Sequence, residues 1–62
     1  MSGATNTLAL LKYVEVFIEL YLNIDNGSAS MDEIVWIFEN RYNLLPSYVE
    51  KIVALSMEVM DV

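Results

Sequence analysis

Residues 8–24 read LALLKYVEVFIELYLNI, and this stretch decides the fold. On a helix of about 100° per residue, its polar side chains fall within roughly 80° of one another. They are Lys12, Glu15, Glu19 and Asn23. A helix that is apolar around most of its circumference is normally buried around most of it. The stretch therefore predicts a long first helix, residues 7–23, with more apolar surface than a small chain can cover.

The size of the chain makes that surface a problem of stability. A chain of 62 residues forms one domain at most, and domains this small usually need a disulfide, a metal or a second subunit. The chain has no Cys and no His, so it lacks disulfides and the ligands that zinc prefers. We therefore expect a homodimeric helical bundle. Its expected interface lies on the first helix and comprises Leu10, Leu11, Val14, Phe17, Ile18 and Tyr21.

Capping signals in the sequence predict two further helices. The segment 30–33, Ser-Met-Asp-Glu, has the pattern in which a Ser hydroxyl and a Glu carboxylate each accept the other residue's backbone N–H. It predicts a second helix over residues 31–42. The segment 47–50, Ser-Tyr-Val-Glu, repeats the pattern and predicts a third helix over residues 47–61. Between them, Asn43 is suited to a left-handed cap.

The chain therefore reads as an all-α domain of three helices, residues 7–62, in which a long first helix precedes a pair with helix-turn-helix spacing. Residues 1–6 are small and polar, and we expect a flexible N-terminal tail there. Either Thr5 or Thr7 can cap the first helix. The segment 25–28, Asp-Asn-Gly-Ser, is a strong turn signal.

The charge of the chain restricts its partners. The net charge is −6, from nine acidic and three basic residues. This balance opposes binding to nucleic acid or to an anionic membrane surface, and it suits a basic protein partner. Three charges within residues 8–24 offset the insertion energy of a membrane span. The first residues lack the basic region of a signal peptide, and with no Cys in the chain we expect a cytoplasmic protein.

Trp36 is the candidate binding residue. On the second helix it projects about 160° away from Phe38, among polar neighbours, and Trp is enriched in binding hot spots. The predicted partner-binding patch consists of Asp32, Glu33, Trp36, Glu39 and Asn40. The alternative is structural: the first helix, from this chain or from a second copy, covers Trp36.

Catalysis and cofactors are not indicated. The chain has no His or Cys nucleophile and no Gly-rich phosphate loop, so we expect no enzyme, cofactor or metal site. The residues favour a small acidic protein-binding module, such as a regulator or inhibitor that acts on a basic surface. One alternative is a helix-turn-helix transcriptional regulator that reads DNA with Ser47, Tyr48, Glu50 and Lys51. A second alternative is a structural unit that builds a larger oligomer.

Overall fold

Three α-helices make up most of the described chain. The computed structural model describes residues 2–23 and 30–61. Its elements are α1 (Ser2–Leu22), α2 (Met31–Asn40) and α3 (Pro46–Met60). Neither described range contains a strand, so the prediction of an all-α, three-helix chain is confirmed there. The turn predicted at residues 25–28 lies outside the described residues.

The first helix begins earlier than the sequence predicts. It starts at Ser2, so residues 2–6 of the expected tail are helical. Thr5 and Thr7, which we expected at the cap, therefore lie inside the helix. No proline interrupts this stretch, and only Gly3 has a strongly unfavourable helix propensity, at about 1 kcal/mol. Extending an existing helix costs far less than nucleating one, so the long apolar segment carries its helix back through these small residues.

The second helix begins at the predicted capping box. Ser30 is extended, with φ −92° and ψ 168°. The Glu33 N–H donates to Ser30 Oγ at 3.3 Å, and the Ser30 N–H donates to Glu33 Oε1 at 3.1 Å. Both bonds of the box are therefore present, and they satisfy two of the N–H groups that a helix start leaves open.

The second helix ends two residues before the predicted position. Asn43 then has φ 60°, so the predicted left-handed conformation is confirmed. The Leu44 N–H donates to the Phe38 carbonyl at 3.1 Å across this reversal. Asn tolerates positive φ better than other residues with a Cβ, and it turns the chain here toward α3.

The capping box predicted at residues 47–50 is wrong. The N-cap of α3 is Leu45, which has φ −67° and ψ 144° and makes no side-chain cap bond. Pro46 takes the first helical position, for which its fixed φ is suited and where its missing N–H is not needed. The helix thus starts one residue before the predicted start, and Ser47 lies within its first turn.

The hydrophobic core lies where the three helices meet, and α1 packs chiefly on α3. Its buried apolar side chains come in pairs, one pair from each helix: Val14 and Phe17, Ile34 and Phe38, Val49 and Ile52. Two members of the predicted dimer interface, Val14 and Phe17, are thus part of the core of their own chain.

Helical spacing predicts that Met57 projects away from the core and that the apolar face of α3 consists of Tyr48, Val49, Ile52, Leu55, Val59 and Met60. Five of these six residues pack in or against the core. Val59, assigned to the apolar core face, is exposed. Ser56 is fully buried, and its Oγ donates to the Ile52 carbonyl at 2.7 Å. Met57, which we expected to project away, packs against the core instead. A Ser that bonds to the carbonyl four residues earlier can enter a core without an unpaired donor.

Ring contacts connect the three helices. Tyr13 of α1 lies 6.1 Å from Phe38 of α2 and 6.1 Å from Tyr48 of α3, measured between ring centroids. Pairs of this kind add about 0.5–1.5 kcal/mol beyond the burial of their area. One continuous network includes six of the seven aromatic side chains: Tyr13, Phe17, Tyr21, Phe38, Tyr42 and Tyr48.

The two Ser residues of the capping signals give a first test. Ser30→Ala removes a cap bond and should lower the free energy of unfolding by about 1 kcal/mol. Ser47→Ala is the matched control, because Ser47 makes no cap bond, and it should change stability by less than about 0.5 kcal/mol. Urea unfolding followed by circular dichroism measures both. Equal losses would contradict this assignment of the caps.

A pair of charge insertions tests which side of α1 is internal. Phe17 has no exposed surface, so Phe17→Glu buries an unpaired carboxylate at a cost of several kcal/mol. That cost matches the whole stability of a small domain, and helical circular dichroism should be lost. Leu11 is 58% exposed, and Leu11→Glu should retain the helical signal. A folded Phe17→Glu protein would show that this packing of α1 is incorrect.

Candidate functional site

Trp36 is the one aromatic residue outside the network. It has no ring partner among the described residues, and 57% of its surface is exposed. Its position follows from the helix, because Phe38, two residues later, points into the core on the other side of α2. The first helix of the same chain therefore leaves most of the indole uncovered.

The structure brings together only part of the predicted patch. Asp32, Glu33 and Asn40 are exposed on α2 with Trp36. Glu39 is half-buried and lines a groove of ≈ 410 Å³ between α2 and α3. On a helix, Glu33 and Glu39 lie about 60° to either side of Trp36, so the indole separates them. Glu39 thus belongs to a different groove from Glu33.

An open groove runs beside Trp36, between α1 and α2. Its volume is ≈ 480 Å³. Val16 and Leu20 of α1 form one wall, and Trp36 and Ile37 of α2 form the other. These walls are apolar, and Glu33 adds a carboxylate to the lining. The arrangement suits an apolar side chain that has a polar or charged group beside it.

The groove has an acidic end and a basic end. Glu33 and Arg41 both line it, eight residues apart on the α2 side, which is about 12 Å along a helix. Val16 and Tyr42 also line an adjoining cavity of ≈ 280 Å³, where Lys12 is found. Two of the three basic residues of the chain therefore border this one surface.

Two polar side chains of the surface are held by their own helix. The Asn40 Nδ2 donates to the Trp36 carbonyl at 3.0 Å. The Glu33 carboxylate accepts the Ser30 N–H in the capping box. These bonds restrict both side chains beside the indole, so a contact made there would cost less side-chain entropy.

The six residues of the predicted dimer interface separate into three groups. Val14 and Phe17 are buried in the core. Leu10, Ile18 and Tyr21 are partly buried against it. Only Leu11 is exposed. The outer face of α1 carries two exposed leucines that we did not include, Leu8 and Leu22. The apolar content of α1 indicates that the helix is largely covered. It does not indicate which side of α1 packs against the other helices of its own chain.

The residues of the DNA-reading alternative lie at the start of α3. Ser47, Glu50 and Lys51 are exposed, and Tyr48 is half-buried in the ring network. Lys51 is the one cation among them, and Glu50 precedes it. A phosphate-binding surface needs several cations. These four residues supply only one, Lys51.

Sequence reasoning missed the α1 side of the groove. Val16 and Leu20 are one turn apart on α1, between its buried and exposed faces. Their spacing indicates a shared helix face, but nothing local to α1 shows that α2 packs beside that face. Helical spacing alone places Ile37 and Arg41 beside the core face of α2 that Ile34 and Phe38 form. The role of Ile37 and Arg41 as groove residues depends on the same packing.

None of the helices in residues 2–23 and 30–61 combines the length and hydropathy that a bilayer crossing requires. In the same two ranges, potential metal ligands do not gather in groups of three. No protein-family model, no curated protein and no solved structure matches this chain.

The exposure of Trp36 can be measured directly, since it is the single Trp of the chain. Its fluorescence should have the long-wavelength emission of an indole in water, and acrylamide should quench it efficiently. N-acetyltryptophanamide provides the fully exposed reference. A short-wavelength, poorly quenched emission would contradict the exposed position. A blue shift that grows with protein concentration would place Trp36 in a contact between copies.

Proposed function

We propose that this protein is a small acidic, non-enzymatic binding module that acts as a homodimer on a basic surface of a larger protein. The exposed Trp36 beside the open groove is the observation that carries this proposal. An indole left in water while the six other aromatic rings pack together offers a large apolar contact area. Trp residues in such positions often dominate the energy of an interface.

The acidic end of the groove beside Trp36 favours one chemistry in the partner. Asp32 and Glu33 are exposed in the first turn of α2, on the Trp36 side. The chain as a whole carries a charge of −6, which attracts and orients a basic protein before contact. In the proposed complex, an apolar side chain of the partner enters the groove between Val16 and Trp36. A neighbouring Lys or Arg then pairs with Glu33.

A module of this kind acts by occupying a surface. The proposal therefore makes the protein a regulator or inhibitor in the cytoplasm, whose effect is to mask a basic region of its target. The homodimer would present two such sites and increase the avidity for a target with repeated surfaces.

Replacement of Trp36 tests the proposal. Wild-type protein, Trp36→Ala and Leu45→Ala are each immobilised and exposed to lysate of the source cells. Leu45 is also an exposed large apolar residue, but it does not line the groove, so Leu45→Ala is the matched control. We expect one stoichiometric protein, retained by Leu45→Ala and lost with Trp36→Ala. For the purified pair, a hot spot of about 2 kcal/mol corresponds to a roughly 30-fold weaker affinity.

The charge component is tested in the same complex. Glu33→Gln should weaken binding and reduce its dependence on salt. Glu58→Gln, which removes an exposed carboxylate of α3 instead, should leave the affinity nearly unchanged. Capture that Trp36→Ala does not reduce would remove this site from the proposal. Recovery of DNA at low salt would favour the transcriptional regulator, and recovery of the protein's own second copy alone would favour the structural unit.

A further inference from the structure

The outer face of α1 carries a stripe of mostly apolar residues, of which the described chain covers only Ile18 in part. Leu8, Leu11 and Leu22 are 70%, 58% and 65% exposed. Together with Glu15 and the partly buried Ile18, they follow spacings of three and four residues in alternation. This is the spacing by which one helix packs along another in a coiled coil. The three leucines are also among the seven large hydrophobic side chains that are exposed in the described part of the chain.

We infer that the stripe from Leu11 to Leu22 is the interface between two copies of the chain, and that their α1 helices pair in antiparallel orientation. The inference rests on the homodimer of the proposed function and specifies its geometry. An identical helix is the partner with a matching repeat, since a strict repeat of 3.5 residues fits another helix of the same period. A twofold axis then brings the same surface of both copies together.

Charge decides the direction of the two helices. In a parallel pair in register, Glu15 meets Glu15 of the partner subunit in the middle of the stripe, so two like charges face each other. In an antiparallel pair with Leu11 opposite Leu22 of the partner subunit, Glu15 lies opposite Ile18 of the partner subunit. Lys12 then lies about 3 Å along the axis from Glu19 of the partner subunit, twice by symmetry. The opposed helix dipoles favour the same orientation.

The arrangement leaves the Trp36 groove open. Around α1, the groove residues Val16 and Leu20 lie roughly 120–160° from the centre of the stripe. The second copy therefore packs on the far side of α1 from α2. The dimer carries two unobstructed grooves.

Disulfide trapping tests the direction, since the chain has no Cys of its own. Helix axes 8–10 Å apart with Cα radii of about 2.3 Å place facing Cα atoms about 4–5 Å apart, close to the range that a disulfide spans. Leu11→Cys and Leu22→Cys are oxidised separately and as a mixture. We expect a crosslinked dimer in the mixture alone, because residues of the same number lie about 16 Å apart in the antiparallel pair.

Two controls accompany the trapping. Leu45→Cys, at an exposed site away from α1, measures random collision and should give little crosslinking. Sedimentation of Lys12→Glu and of Glu19→Lys should each show a dimer dissociation constant raised about fivefold by two lost ion pairs. The double variant, Lys12→Glu with Glu19→Lys, should restore the wild-type constant.

The outcomes separate this inference from the function proposed above. Crosslinking of Leu11→Cys and Leu22→Cys with themselves, and not with each other, would overturn the antiparallel direction. A monomeric mass at high micromolar concentration would overturn the whole interface. It would not decide the binding site, which the Trp36-dependent capture tests separately. Mixed crosslinks in a protein whose capture ignores Trp36 would support the interface and contradict only the binding site.

Discussion

The burial of Phe38 in the core that the three helices share is the constraint on which the rest of the structure depends. Phe38 has no exposed surface, and its ring lies 6.1 Å from both Tyr13 and Phe17 of α1 and 5.4 Å from Tyr42. A chain this short has little other apolar volume with which to offset the entropy of ordering its backbone. Without a disulfide, aromatic area and ring contacts at this one junction carry much of that task.

The groove beside Trp36 is a consequence of the same constraint. Once Phe38 faces the core, helical geometry sends Trp36 outward, because two residues correspond to about 200° around the axis. Val16 and Leu20 of α1 pack only partly against the core and line the groove beside the indole. The groove is therefore the place where the packing of the core ends. No separate element of the chain is needed to form it.

The parts of the structure that the sequence predicts are those set by neighbouring residues. The capping box at Ser30 and the positive φ of Asn43 depend on a few consecutive residues, and the outward direction of Trp36 depends on helical periodicity alone. The parts it does not predict depend on which helices touch. Burial of Ser56 requires knowledge that α1 lies against α3, and the opposite placement of Glu33 and Glu39 requires knowledge of the neighbour on each side of α2.

The first helix illustrates the same limit. The apolar composition of α1 indicates that more than one side of the helix is covered. It does not indicate which residues face the core, because Val14 and Leu11 are both apolar. Only the packing of the chain assigns Val14 and Phe17 to the interior and leaves Leu11 on the surface.

Glu33 takes part in two different equilibria. One carboxylate oxygen accepts the Ser30 N–H that closes the first turn of α2, and the same side chain lines the groove beside Trp36. A cation that pairs with this carboxylate therefore acts on the group that holds the end of the helix. If the cation binds more tightly when the first turn of α2 is closed, then by thermodynamic linkage the bound cation must stabilise that turn by the same free energy. Fraying of α2 and occupancy of the groove are then two readouts of one coupling free energy.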